Sequence, residues 1–351
     1  MYLERVLVVG LGPFERVEVD FCERPGEPRP LTVIHGDGGT GKSTLLSAIS
    51  STRPGNHVVQ TTLWRRPGTT PHTVCDWRLS GEDPERPHAL KVSTPGISVE
   101  ADDANEQLRR RETVHFDRLL NERGGFAFVG LPGNRRYPRA SLILGEPSRT
   151  VLRPDLRGAP GFQDQSGVEL TRAVKLILAY AGLSSAMAGH SRGESGADPR
   201  SLGVALQEGL SELLGLIGHE YRGLSPRSFE PRFETPVGEI LPFDALSSQA
   251  RELIGLATIA IHQVWVANHG ADPRGCEGVV LVDDLELHLS DAVQLEILDS
   301  LRRMLPKVQW IIGTASATLA HTASLGSTVT LRRDPDSSRI EIFEGELSLT
   351  H

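Results

Sequence analysis

Eight consecutive residues, Gly36-Asp37-Gly38-Gly39-Thr40-Gly41-Lys42-Ser43, satisfy the pattern G-x-x-x-x-G-K-[ST]. Each residue type has a task if the ligand is a polyphosphate. Glycines without a Cβ let successive backbone N–H groups turn inward around an anion, and a helix opening at Gly41 to Thr44 adds the positive end of its dipole. Lys42 then reaches the β- and γ-phosphates, and the Ser43 hydroxyl is a ligand for Mg2+. Far downstream, Val279-Val280-Leu281-Val282 is an apolar run ending in Asp283. That places a carboxylate where Mg2+ is held, at the carboxyl end of a strand beside the phosphate loop. The expected ligands are ATP and Mg2+, with phosphates on residues 36–44 and metal on Ser43 and Asp283. Guanine selection usually uses N-K-x-D, and none of the four lysines (Lys42, Lys91, Lys175, Lys307) follows an Asn.

These residues need a strand, a loop and a helix in that order. Leu31 to His35 is a short apolar run, the glycine loop follows, and Leu45, Leu46 and Ile49 mark a helix. Before them, residues 5–10 and 16–21 alternate around a turn and predict a hairpin. Residues 73–100 alternate again, as further antiparallel strands of a side sheet. Residues 126–129 and 141–144 are strand candidates in an otherwise Gly-, Pro- and Arg-rich stretch. Helical spacing returns at Leu170, Val174, Ile177 and Leu178, and at Leu206, Leu210, Leu213, Leu214 and Ile217. Residues 182–201 between them are small and polar, and are expected as a mobile loop. The last third reads as a buried helix (248–268), a strand (279–283), a helix (291–305), a strand (308–313) and a hairpin (328–332 with 339–343). That alternation predicts an α/β sheet.

Taken with these elements, Val282-Asp283-Asp284-Leu285-Glu286-Leu287-His288-Leu289 resembles the D-E-x-E-x-H-L segment of ABC-type ATPase heads of the RecF, SMC and OLD-like AAA-family group. The N-terminal hairpin, Leu246-Ser247-Ser248-Gln249-Ala250-Arg251 (similar to the signature L-S-S-G-E-R) and Trp310 to Ser316 fall in that family's order. The resemblance covers residues 1–60 and 230–345. It implies a P-loop NTPase of the ABC-head kind without a coiled-coil arm: an ATPase core at 1–165 and 225–351, with a helical insertion or lid at 166–224. It also implies a homodimer that sandwiches ATP, with Ser247 and Ser248 of one subunit closing on the nucleotide of the other. Asp284 takes the position of the catalytic carboxylate and acts with Lys42. By itself Ser247 is equally well explained as the N-cap of the helix that follows.

This chain departs from the family pattern in three places. Asp284 stands where a longer Glu is usual, Ala315 where a histidine usually faces the γ-phosphate, and Gln249 where a signature glycine lets backbone approach. Slow turnover is the expectation, unless Thr314 or Ser316 substitutes a hydroxyl for the imidazole. No context selects the family's Q-loop glutamine among Gln60, Gln163 and Gln165. The resemblance implies service to a separate effector or nuclease protein, in DNA repair or anti-phage defence. A nucleotide-gated scaffold with negligible hydrolysis is the alternative, and a P-loop kinase a more distant one.

The chain has 351 residues, 37 basic against 45 acidic, for a net charge of −8. That balance argues against indiscriminate nucleic-acid binding. Locally, residues 132–160 carry Arg135, Arg136, Arg139, Arg149, Arg153 and Arg157 against Glu146 and Asp155. That stretch is a candidate face for nucleic acid or an acidic partner, although a solvated face in an arginine-rich chain is the simpler account. Arg109 to Arg111 are diluted by nearby acids. Cys22, Cys75 and Cys276 are too scattered for a disulfide framework or a zinc motif. No apolar run reaches the length of a membrane span, and residues 1–12 do not read as a signal peptide, so a cytoplasmic location is expected.

Overall fold

The computed structural model describes residues 1–52, 68, 70–78, 90–94, 127–145, 168–187 and 199–345. Its centre is a six-stranded sheet in the order Ile340–Glu344, Thr328–Arg333, Leu31–His35, Val308–Thr314, Gly278–Val282, Ala127–Leu131. All neighbours are parallel except the edge pair 328–333 and 340–344, which closes as an antiparallel hairpin. A parallel sheet is stable only with both faces covered, which explains why its central strands read as unbroken apolar runs.

The two faces sort side chains by strand parity. Val280, Val282, Trp310, Ile312, Val33 and Val129 point into a helical layer, and Val279, Leu281, Ile311, Ile34 and Phe128 point into the other core. The second core is closed by the helix Lys42–Ser51 and by an antiparallel side sheet in the order Arg16–Asp20, Tyr2–Val9, His72–Arg78, Leu90–Thr94. Gln309 fastens side sheet to central sheet: its Oε1 accepts from Leu3 N at 2.7 Å and its Nε2 donates to Leu3 O at 3.0 Å. The helical layer consists of Thr171–Met187, Pro199–Gly215, Ser248–Ala267 and Ile297–Met304. The first two lie within the segment 166–224 and share one continuous core with the long helix and the sheet.

Several boundaries differ from the sequence expectation. Helix Thr171–Met187 runs through residues 182–187, and residues 199–201 already belong to the next helix. The ends of the stretch expected as a mobile loop are thus helical, and its remainder, 188–198, lies outside the described residues, as does Phe126. Residues 141–144 form no strand, and Ile143 and Leu144 are exposed, so no partner surface holds them extended. The helix expected over 291–305 is broken into Asp291–Gln294 and Ile297–Met304, with Glu296 at φ −117° between them. At that break the buried Gln294 turns its amide to Leu289 O at 3.0 Å and accepts from Ser316 Oγ at 2.5 Å. A third sheet, Glu220–Leu224, Pro231–Glu234 and Ile240–Pro242, was not expected at all.

Candidate functional site

The phosphate loop leaves strand Leu31–His35 and enters helix Lys42–Ser51 at the carboxyl edge of the central sheet. Its glycines are required for different reasons. A Cβ on Gly36 would lie 2.5 Å from Leu331 O, whereas Gly38 and Gly39 have open space around them. Gly41 has φ +101°, and a Cβ there would meet Phe14 and Pro13 at 2.6 Å, so the turn of the N-terminal hairpin seats the helix start. Lys42 is buried, and its Nζ donates to Gly36 O at 2.7 Å and Asp37 O at 3.0 Å. The ammonium is thus held inside the curl of the loop, among carbonyls that an anionic ligand could replace. Thr40 Oγ1 donates to Asp37 O at 2.9 Å, and Arg333 reaches across from the C-terminal hairpin to Gly39 O at 3.0 Å.

Asp283 follows strand Gly278–Val282 and faces this loop. Its side chain is buried, the Ser43 hydroxyl donates to it, and its Oδ1 has no hydrogen-bond partner. Burial raises its pKa to about 6, with Ser43, Arg135 and Lys42 pulling the other way and Asp284 adding to the rise. A buried carboxylate oxygen without a donor beside a serine hydroxyl is the donor set a hard divalent cation takes. The arrangement therefore fits Mg2+ held by Ser43 and Asp283.

Asp284 is half-buried and sits at φ +47°, a left-handed conformation that Asp tolerates better than most residues. Gly133 makes room for its carboxylate, since a Cβ there would lie 2.4 Å from Asp284 Oδ2. Burial, then the charge of Glu286, raises the pKa of Asp284. Glu286 bridges the carboxylate turn to the neighbouring strand end, accepting from Thr314 Oγ1 at 2.6 Å and Ala315 N at 2.7 Å. Thr314 Oγ1 thus donates to Glu286 and Ser316 Oγ to Gln294, so both hydroxyls beside Ala315 are engaged within the chain.

The signature segment begins the long helix Ser248–Ala267 on the exposed side. Ser247 is its N-cap, accepting from Ala250 N at 3.1 Å, as the simpler reading expects. Both Ser247 and Ser248 are exposed. Gln249 accepts from Ser290 N at 2.9 Å, tying the signature to the turn after Asp284. Beside this helix start, Arg136, Arg251, His288, Tyr137, Arg135 and Ser248 border a cleft of about 180 Å3. None of these signature residues lies in hydrogen-bonding contact with the phosphate loop of the same chain among the described residues.

Arg135 is misplaced by its local charge context. It is not a surface group for nucleic acid: its side chain is 1% exposed and pairs with the equally buried Glu252 at 2.7 Å. Arg136 and Arg139 are exposed, and Arg149, Arg153 and Arg157 lie outside the described residues, as do Arg109 to Arg111 and Gln60, Gln163 and Gln165. The sequence reading missed Gly133, Arg135 and the bridging role of Glu286. A Pro-Gly-Asn turn between a buried strand and an arginine pair, Pro132 to Arg136, is the local trace of the first two.

A family profile described as an AAA domain matches residues 5–52. The Septu protein PtuA of Bacillus thuringiensis is 27% identical over 132 residues, 36% of this chain and 33% of that protein. The match spans about a third of that relative's length. An SmcHead solved with the C-winged helix domain of ScpA superposes with TM-score 0.53 at 14% identity, covering 99% of this chain and 98% of that one. An Smc head with an extended coiled coil, bound to the C-terminal domain of ScpA derived from Pyrococcus furiosus, gives TM-score 0.51 at 13% identity, with 98% and 96% covered. The fold is that of an SMC head domain, an α/β architecture of the P-loop, ABC-head kind. Among the described residues no helix is long and apolar enough to cross a membrane.

Proposed function

From that fold and the loop geometry we propose that this chain binds ATP with Mg2+, hydrolyses it slowly, and uses the bound nucleotide to join two copies head to tail. The observation that carries the reading is the meeting of Ser43 with Asp283, whose buried Oδ1 has no donor, at the mouth of a loop whose lysine is already drawn inward. Mg2+, when bound, offsets phosphate charge. The chain's own residues do the rest. Backbone N–H groups of the loop and Lys42 hold the phosphates, and Asp284 orients water and takes up its proton. Ser247 and Ser248 are exposed at the start of a 20-residue helix, beside a cleft bordered by Arg136, Arg251 and His288. They offer donors and positive charge to a nucleotide carried by another copy.

The closure would be passed to a separate effector or nuclease protein, in anti-phage defence or DNA repair; the partial likeness to PtuA favours the defence setting. In this reading a core at 1–165 and 225–351 carries a helical segment at 166–224, whose helices pack against the signature helix and are the candidate transmitters. A second reading, a nucleotide-gated scaffold with negligible turnover, is favoured by Ala315 and by the committed hydroxyls of Thr314 and Ser316.

Solution mass with and without ATP and Mg2+, alongside phosphate release, tests both. ATP should shift the wild type to a dimer, Lys42→Ala should abolish the shift, and Asp284→Asn should prolong the dimer while lowering phosphate release. A mass that never responds to ATP overturns the sandwich. A response with no phosphate release selects the scaffold. If Ser247→Arg leaves ATP-driven association intact, the signature plays no part in trans.

A further inference from the structure

Arg135 is the most heavily bonded side chain near the site, and its partners belong to two elements that the nucleotide would act on separately. Its Nη1 donates to Asp283 O at 2.6 Å and Pro132 O at 2.7 Å, and its Nη2 to Asp284 O at 3.2 Å. Its Nε donates to Glu252 Oε1 at 2.7 Å. Glu252 lies one turn into the signature helix, after Ser247 and Ser248. One guanidinium therefore holds the backbone of both carboxylate residues that face the nucleotide in its own chain. The same group grips the helix whose start would face the nucleotide of the other chain.

Stability alone does not account for this arrangement. Burying a charged pair is costly, and an apolar pair of similar volume is often as stable. Here the cost is not offset by full satisfaction, because Glu252 Oε2 and the neighbouring Tyr137 Oη are buried without partners. The planar fork of Arg, unlike the point charge of Lys, can meet several carbonyls and a carboxylate at once. The turn it holds is also the strained one, with Asp284 at φ +47° and His288 at φ +63°.

We infer that Arg135 is a positioning residue that links the Asp283–Asp284 turn to the signature helix, so that the state of one nucleotide site sets how the chain presents its signature to the other. The link rests on the ATP-driven closure proposed above. A shift of the carboxylate turn on nucleotide binding displaces the carbonyls of Asp283 and Asp284. The guanidinium follows, and Glu252 carries the movement to the helix start. Next to Glu252 in the helix, Arg251 holds the same loop from outside, its Nη1 donating to Tyr137 O at 2.6 Å.

The test uses the full chain as wild type, Arg135→Lys, Glu252→Gln and the double variant. Four quantities are read: affinity for a fluorescent ATP analogue, ATP-dependent association by solution mass, phosphate release and melting temperature. Analogue affinity should stay within about 3-fold of wild type throughout, because the loop and Lys42 are untouched. Arg135→Lys should lower both association and phosphate release by about 10-fold or more, since Lys keeps the charge but loses the fork. Glu252→Gln leaves the carbonyl bonds in place. It should weaken association by about 5-fold while phosphate release per dimer is unchanged, and the double variant should be no worse than Arg135→Lys, as expected of one shared path.

Association and release that stay at the wild-type level in Arg135→Lys overturn the inference, leaving Arg135 a mere charge partner of Glu252. So does a fall in analogue affinity in step with melting temperature, which marks a structural role. Should Arg135→Lys fail to fold, Glu252→Gln decides: association equal to wild type overturns the link. A wild type that binds the analogue but never associates overturns the closure, and the inference with it.

Discussion

The two halves of the candidate site are built to different standards within one chain. The phosphate loop is held on several sides: Lys42 and Asp283 are buried, Gly36 and Gly41 are pressed against neighbours, and the turn of the N-terminal hairpin and the strand Thr328–Arg333 bear on the loop. At the signature the reverse holds. Ser247 and Ser248 are exposed, and Gln249 occupies the place where backbone would have to approach a ligand. The difference shows which half is complete by itself. Under the proposed function, a loop that grips phosphates within one chain would be preorganised by its own core, whereas a surface that acts on a second copy would be finished only by that copy.

The largest effect should come from breaking the preorganised half. Gly41→Ala places a methyl group 2.6 Å from Phe14 and Pro13 at φ +101°. It should destabilise the fold by about 2–4 kcal/mol and abolish ATP binding. Gly38→Ala, with nothing within 4 Å of the new methyl, should leave stability unchanged. Thermal melting of the two variants side by side checks the contrast. Equal losses would mean that the loop is not seated by the hairpin turn.

A second effect should have the opposite sign. Burial raises the pKa of Asp283 from 3.8 to about 6, so the folded chain binds this proton more tightly than the unfolded one. A raised carboxyl pKa makes its contribution most favourable below pH 4 and removes it as pH rises through about 6. At pH 8 without metal, the ionised carboxylate therefore costs the fold on the order of 3 kcal/mol. Asp283→Asn should be more stable than wild type by about that amount at pH 8 in EDTA, with the gap closing by pH 4. The same substitution should remove any stabilisation by ATP with Mg2+. Unfolding curves at the two pH values settle the sign, and a less stable Asn variant at pH 8 would mean that Asp283 is satisfied as an anion without metal.

The preorganised half was also the legible one, for a physical reason. The phosphate loop, its strand and its helix are contiguous, and apolar runs such as 31–35 and 279–282 are buried on both faces, so composition alone marks them. What escaped were roles set by distant partners. Arg135 sits in a basic stretch, and only the fold reveals that the carbonyls of Asp283 and Asp284 and the carboxylate of Glu252 surround it. The sheet of 220–242 escaped because its strands are three to five residues long and carry Gly223, Pro231 and Pro242, which read as turns. Asp283 and Ser43 could be paired in advance, whereas Gln249 could be read only as a departure, with no sign of the helix end it serves.

The smallest effect sharpens the comparison from the unfinished side. Ser290 caps the short helix Asp291–Gln294 without a side-chain bond of its own, and Gln249 Oε1 accepts from its N–H instead. Gln249→Ala removes that exposed bond and should cost about 0.5–1 kcal/mol, without changing ATP-driven association. Gln249→Gly removes the same bond and adds about 1 kcal/mol of helix-propensity loss, but it also bares the backbone beside Ser248. If the signature closes on a nucleotide of the other copy, Gly should tighten association relative to Ala even though it is the less stable of the two, because only Gly lets the helix end approach the phosphate. Association that simply follows stability, Ala above Gly, would show that this helix end never meets the ligand, and the exposed serines would then be caps and nothing more.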